Sequence, residues 1–126
     1  EMDTLNARMS EGLYRTSKER REDPTLEFLY RSAGPVWYRG MVCTDEKYDP
    51  LTPEQTDALL RRYDADRLLI GHTIFPDIST FHDGRVIAVN VQNERNRRKN
   101  RGRAVLIEGS RISVVGNRGV KRVLEE

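Results

Sequence analysis

One cysteine, one tryptophan and two histidines are all that these 126 residues hold of those types. With Cys43 alone, neither an internal disulfide nor a zinc site built on paired cysteines is possible. Aromatic residues make up 7% and hydrophobic residues 37% of the chain, enough for a small core and not for a large one. No apolar run approaches the roughly 18 residues that a membrane-spanning helix needs, and the first residues do not read as a secretory leader, although a segment upstream of Glu1 could carry one. Neither sign of charge dominates, since 22 Lys and Arg face 20 Asp and Glu for a net charge of +2. No internal repeat is present. These absences exclude a disulfide-stapled miniprotein, a membrane span and a wholly basic nucleic-acid coat.

What is present is local. Residues 94–103, ERNRRKNRGR, carry six basic residues and one acid, so the remaining 116 residues sum to −3. Arg95, Arg97, Arg98, Lys99, Arg101 and Arg103 could contact nucleic-acid phosphates. They could equally form a basic rim that attracts an anionic substrate, or a solvated loop between strands. No aromatic residue is interleaved to stack on bases, which speaks against a nucleic-acid partner. The chain opens on Glu1, in what reads as the interior of a helical stretch, and a longer parent protein is the expectation.

Met2, Leu5, Met9 and Leu13 recur at helical spacing and predict an amphipathic helix ending near residues 12–18. The run KERREDP reads as an exposed connection. Pro24 suits the start of a second helix, and Gly34-Pro35 breaks it. VWYRGMV, residues 36–42, is rich in strand formers. Thr52, Pro53 and Gln55 form a cap, a first helical position and a capping box, with Leu59, Leu60 and Tyr63 facing inward. Leu68–Ile70 reads as a short buried strand, and RVIAVNV, residues 85–91, as a mostly buried one. AVLIE and RISVV flank Gly109-Ser110, the pattern of a tight hairpin. The polar tail holds room for one more short strand. The order predicts a mixed α/β (α+β) fold in a single domain over 1–126, with 1–33 helical and 34–126 made of strands with one helix.

His72 is the most informative side chain. It follows the apolar strand and one glycine, Gly71, which lets the backbone approach a ligand closely. An imidazole at a strand end can offer a ring nitrogen to a metal or bond backbone in its loop. His82, in Phe-His-Asp-Gly, reads as an exposed turn residue. Thr73 could hydrogen-bond near a site or cap the loop, and Trp37 and Tyr38 could wall a substrate cleft or pack in the core. Asp45, Glu46, Asp49, Asp64 and Asp66 read as loop and helix-end acids, and Cys43 as an inert thiol.

The segments IGHTIFPDIS and FHDGRVIAVNV resemble the last block of the calcineurin-like metallophosphoesterases, where a strand ends in Gly-His-Thr. GPVWYRG at 34–40 resembles the Gly-Pro-Leu-Trp-Tyr-Arg-Gly segment of their bacterial Shewanella-like phosphatase branch. The intervening TPEQTDALLRRYDADRLLIGHT and the hairpin AVLIEGSRISVV are similar in order and spacing, so the resemblance covers residues 1–116. It implies part of a two-sheet β-sandwich flanked by helices. It implies a phosphomonoester or protein phosphatase working with two divalent metal ions, manganese, iron or zinc. By the same resemblance His72 is a metal ligand, Arg39 binds the phosphate of the substrate, and Trp37, Tyr38 and Thr73 lie at the substrate pocket.

The family's Asp-x-His, Gly-Asp and Gly-Asn-His-Glu blocks and its second histidine do not occur in the chain. The resemblance therefore implies the carboxyl-terminal half of the domain, inactive alone and partnered by a missing amino-terminal half. The alternative is a non-catalytic module that uses residues 95–103 to hold nucleic acid or another anionic partner.

Overall fold

The computed structural model describes residues 2–125, and for Glu125 the backbone alone. The chain divides into two compact units, Glu1–Pro50 and Leu51–Glu126.

The first unit is helical. Helix α1 spans Met2–Leu13, α2 spans Ser17–Glu22 and α3 spans Pro24–Tyr30. The apolar stripe predicted for α1 is not what it buries: Met2 and Leu13 are exposed, and Leu5 and Met9 are half-buried. The buried position is Gly12, where a Cβ would lie 2.3 Å from a ring carbon of Tyr30. The missing side chain lets the Tyr30 ring close on the helix, and its hydroxyl donates to the Met9 carbonyl.

The run expected as an exposed connection is largely helical, because Thr16 and Glu19 form a reciprocal cap. The Glu19 amide donates to the Thr16 hydroxyl oxygen at 3.3 Å, and the Thr16 amide donates to the Glu19 carboxylate at 2.6 Å. Pro24 opens α3 as predicted, with Asp23 accepting from the amides of Thr25 and Leu26 at 2.9 and 3.1 Å. Leu26 and Leu29 are its buried face.

Residues 36–42 are not a strand. The Trp37 amide donates to the Gly34 carbonyl, and the amides of Val42 and Cys43 both donate to the Arg39 carbonyl, so these donors are used in consecutive turns. A single-turn 3-10 helix, Glu46–Tyr48, follows.

The second unit begins with α4, Pro53–Arg62, capped by Thr52 and Gln55 as the sequence predicts. Thr56 and Leu60 are buried, and the Thr56 hydroxyl is satisfied by the Thr52 carbonyl at 3.0 Å. Strand β1, Leu68–Ile70, pairs in parallel with β3, Val86–Ala88, which also pairs antiparallel with β2, Ser79–Phe81. The order β1-β3-β2 puts β3 in the middle, and all three of its residues are buried. Strand β1 lies at an edge, so Leu69 is 42% exposed where a buried strand was expected. The predicted 85–91 strand is shorter than expected, and Val91 continues it only as a bridge to Phe75. An ion pair between Arg85 and Asp57 ties α4 to the strand-flanking loop.

The basic segment, read as a loop, contains helix α5, Asn93–Arg98, which buries Asn96. The predicted hairpin is present as β4, Arg103–Glu108, and β5, Arg111–Gly116, turning at Gly109 with φ 63°. Strand β6, Gly119–Glu125, pairs with β5 and is longer than the tail alone indicated. Ile78, Ile87 and Val91 pack with Ile112 and Val114 in one core shared by the two three-stranded sheets. Each of those side chains contributes about 1.5–3 kcal/mol on burial. The architecture is the expected mixed α/β type, with two helices and a 3-10 turn after residue 33 in place of one helix. Among the described residues no helix is long and apolar enough to cross a membrane.

Candidate functional site

At the carboxyl end of β1 the chain makes an abrupt reversal around His72. The Thr73 amide donates to the Gly71 carbonyl at 2.8 Å. His72, between them, has φ 68°. A positive φ under an i+2 to i hydrogen bond describes the rarer, strained form of the γ-turn. Histidine is among the residues enriched at positive φ, yet the conformation still costs about 1–3 kcal/mol. His72 is exposed, and Thr73 is half-buried. A Cβ on Gly71 would meet nothing within 4 Å, so the space beside that glycine is open. His82 also has positive φ, but it sits in the β2–β3 connection as expected, where the Arg85 amide donates to its carbonyl at 3.1 Å.

In the first unit, Trp37, Tyr38 and Arg39 occupy the turns after α3. The Tyr38 hydroxyl donates to the Asp49 carbonyl at 2.9 Å, which pins the loop on itself. Burial, with the nearby Asp49 carboxylate, pushes the Tyr38 phenol above its ordinary value. Gly40 is required there, because a Cβ would come within 2.4 Å of the Tyr38 oxygen and 2.6 Å of the Asp49 carbonyl. Trp37 is 49% exposed and lines an open groove of about 330 Å³ with Ser17, Arg20, Arg21, Glu27, Tyr30 and Arg31. Arg39 is half-buried. Thus Trp37, Tyr38 and Arg39 belong to one unit, and His72 and Thr73 to the other.

Two of the six basic residues of 95–103 are taken up in ion pairs. Arg103 donates through Nε to Asp77 at 3.0 Å and its side chain is only 13% exposed, while Arg98 pairs with Glu94 along α5. Asp77 accepts from the Ile78 amide at 2.8 Å as well, and Arg122 donates to the Ile78 carbonyl. Burial alone would raise the Asp77 carboxyl, but the Ile78 amide and the Arg103 guanidinium outweigh it and hold it below its ordinary value.

Among the described residues no group of three or more His, Cys, Asp and Glu side chains comes together to hold a metal ion. A single imidazole does not fill the four to six positions that such ions require. The described residues therefore do not by themselves supply a metal centre. The groove of arginines around Trp37 was not legible in the sequence, since Arg20, Arg21 and Arg31 come from a run read as a connection and from the end of α3.

The chain matches no protein-family profile, and no curated protein matches it. Three solved structures share its fold. A cold-active protein tyrosine phosphatase from a psychrophilic Shewanella species superposes with a TM-score of 0.64 at 22% identity, covering 98% of this chain and 35% of that one. A point mutant of a cold-active protein tyrosine phosphatase gives the same values, and another structure of such an enzyme gives a TM-score of 0.63 over 34% of its length. The chain thus spans about a third of the structures it matches.

Proposed function

We propose that this chain is the carboxyl-terminal share of a metal-dependent phosphoesterase of the calcineurin-like kind, acting on phosphate monoesters, phosphoproteins among them. The observation that carries the reading is His72, held at the apex of a strained turn at the carboxyl end of β1. Backbone strain persists only where the surroundings impose it, and it gathers at functional positions. The similarity in fold to phosphatases from a Shewanella species supports the same reading.

In this proposal His72 contributes one imidazole nitrogen to a centre of two divalent ions, manganese, iron or zinc. The other donors come from polypeptide outside these 126 residues. Arg39 presents a planar fork to two phosphate oxygens and keeps its charge at any working pH. Its positive charge is of most use where negative charge spreads over the phosphoryl oxygens in the transition state. Thr73, whose amide closes the turn, positions the imidazole, and Trp37 contributes a flat wall for the substrate.

The test is hydrolysis of p-nitrophenyl phosphate with added manganese. It compares the polypeptide that joins these residues to the remaining donors with its His72→Ala and Arg39→Ala variants. Removing a ligand is expected to lower turnover by at least the roughly 100-fold that loss of a supporting contact can cause. Unchanged turnover in His72→Ala overturns the assignment.

A further inference from the structure

The groove beside Trp37 holds three arginines that the phosphoesterase reading does not use. Three guanidiniums, Arg20, Arg21 and Arg31, share it with one carboxylate, Glu27. Among the described residues none of the three arginines is paired with a carboxylate, so the groove keeps its positive charge. Arg20 is held in place: it donates to the carbonyls of Gly12 and Arg15 at 3.0 Å each and to the Ser17 hydroxyl at 3.2 Å. Its guanidinium also lies 4.7 Å from the centre of the Tyr30 ring. A cation whose position is set by four contacts loses little freedom when an anion arrives. Arg21 and Arg31 are exposed and supply donors that can close on a ligand.

Trp37 adds the second element, a half-exposed indole on the wall of a cationic groove. The volume, about 330 Å³, lies at the small end for ligand sites and suits a ligand of mononucleotide size or smaller, not an extended cofactor. We propose that this groove binds a phosphate monoester whose organic group includes a flat ring, with the phosphate on the arginines and the ring against Trp37. The protein-borne source is a phosphotyrosine side chain, and the small-molecule source is a nucleoside monophosphate. For its place in catalysis the inference rests on the phosphoesterase reading, but binding needs neither His72 nor a metal.

Trp37 is the single tryptophan of the chain, so its emission reports on the groove directly. The 126-residue protein, kept metal-free with a chelator, is titrated with O-phosphotyrosine, adenosine monophosphate, inorganic phosphate and tyrosine. Calorimetry of the same samples gives a second readout. Saturable binding of either phosphotyrosine or adenosine monophosphate, weakened by salt and by about tenfold or more in the Arg21→Gln/Arg31→Gln double variant, is the expected result. The stronger of the two identifies the source. These two exposed arginines are chosen over Arg20, whose loss would release the contacts that join α1 to α2. Absence of both signals overturns the proposal, and so does binding that the double variant leaves intact, or equal affinity for inorganic phosphate or for tyrosine. Because no metal is present, this failure is distinct from loss of hydrolysis in His72→Ala.

Discussion

The Thr73 amide reaches back to the Gly71 carbonyl at 2.8 Å, and the residue enclosed by that bond is His72 at φ 68°. A side chain with a Cβ gains nothing locally from that geometry. The turn exposes an imidazole just past the last residue of β1, where the strand no longer occupies the backbone. Relatives of open sheets place ligands at such strand ends.

The cost of the turn is measurable. His72→Val, with a branched Cβ at positive φ, is expected to lower stability by about 1–2 kcal/mol. His72→Gly relieves the strain while adding freedom to the unfolded chain, and is expected within about 1 kcal/mol of the parent. Urea melts of both variants check this, and equal stability of the valine and glycine forms would remove the strain argument.

Gly71 is a separate case. Its φ lies outside the left-handed region and a Cβ there would meet open space. Gly71→Ala is therefore expected to stabilise the protein by about 0.4–1 kcal/mol, through the unfolded chain. A fall in melting temperature would mean that the site is filled. A gain in stability together with lost phosphoesterase turnover would mark Gly71 as a place where ligand approaches the backbone.

Asp77 links β4 to the start of β2 through Arg103 and carries a carboxyl held below its ordinary 3.8. A depressed carboxyl contributes stability that is complete above the unfolded value and disappears as pH falls through the folded one. Melting temperature is thus expected to drop as pH is lowered from about 4 into the acid range. Asp77→Asn should be less stable near neutrality and should flatten that slope. A variant with the parent's full acid dependence would place its origin in other carboxyls.

Gly12 carries the packing of α1. Gly12→Ala puts a methyl against the Tyr30 ring, which cannot retreat without giving up its bond to the Met9 carbonyl. The expected loss is about 1–3 kcal/mol, the usual cost of an overpacked contact, although alanine is the better helix former. Hydrogen exchange should show the loss in Met2–Tyr30, and uniform protection there would contradict it.

Much of the local structure is legible in the sequence alone. Thr52, Pro53 and Gln55 announced α4, Pro24 announced α3, and Gly109-Ser110 announced the β4–β5 hairpin, because caps and turns depend on atoms only a few residues apart. The same chemistry at Thr16 and Glu19 was as available but was obscured by the charged run around it. His72 could be singled out by its place after an apolar strand, whereas the tight turn that the Thr73 amide closes on the Gly71 carbonyl could not.

By itself the sequence determined which segments cap, turn and alternate, and so the mixed fold and the position of the histidine. Only tertiary structure decided that strand-forming residues 36–42 coil into turns, that α1 buries a glycine in place of its apolar stripe, and that three arginines gather around Trp37. Those outcomes depend on Tyr30 meeting Gly12 and on Tyr38 meeting Asp49, contacts between residues 18 and 11 positions apart. Such contacts override local preference because burying a ring against backbone yields more free energy than the roughly 1 kcal/mol over which strand propensities range.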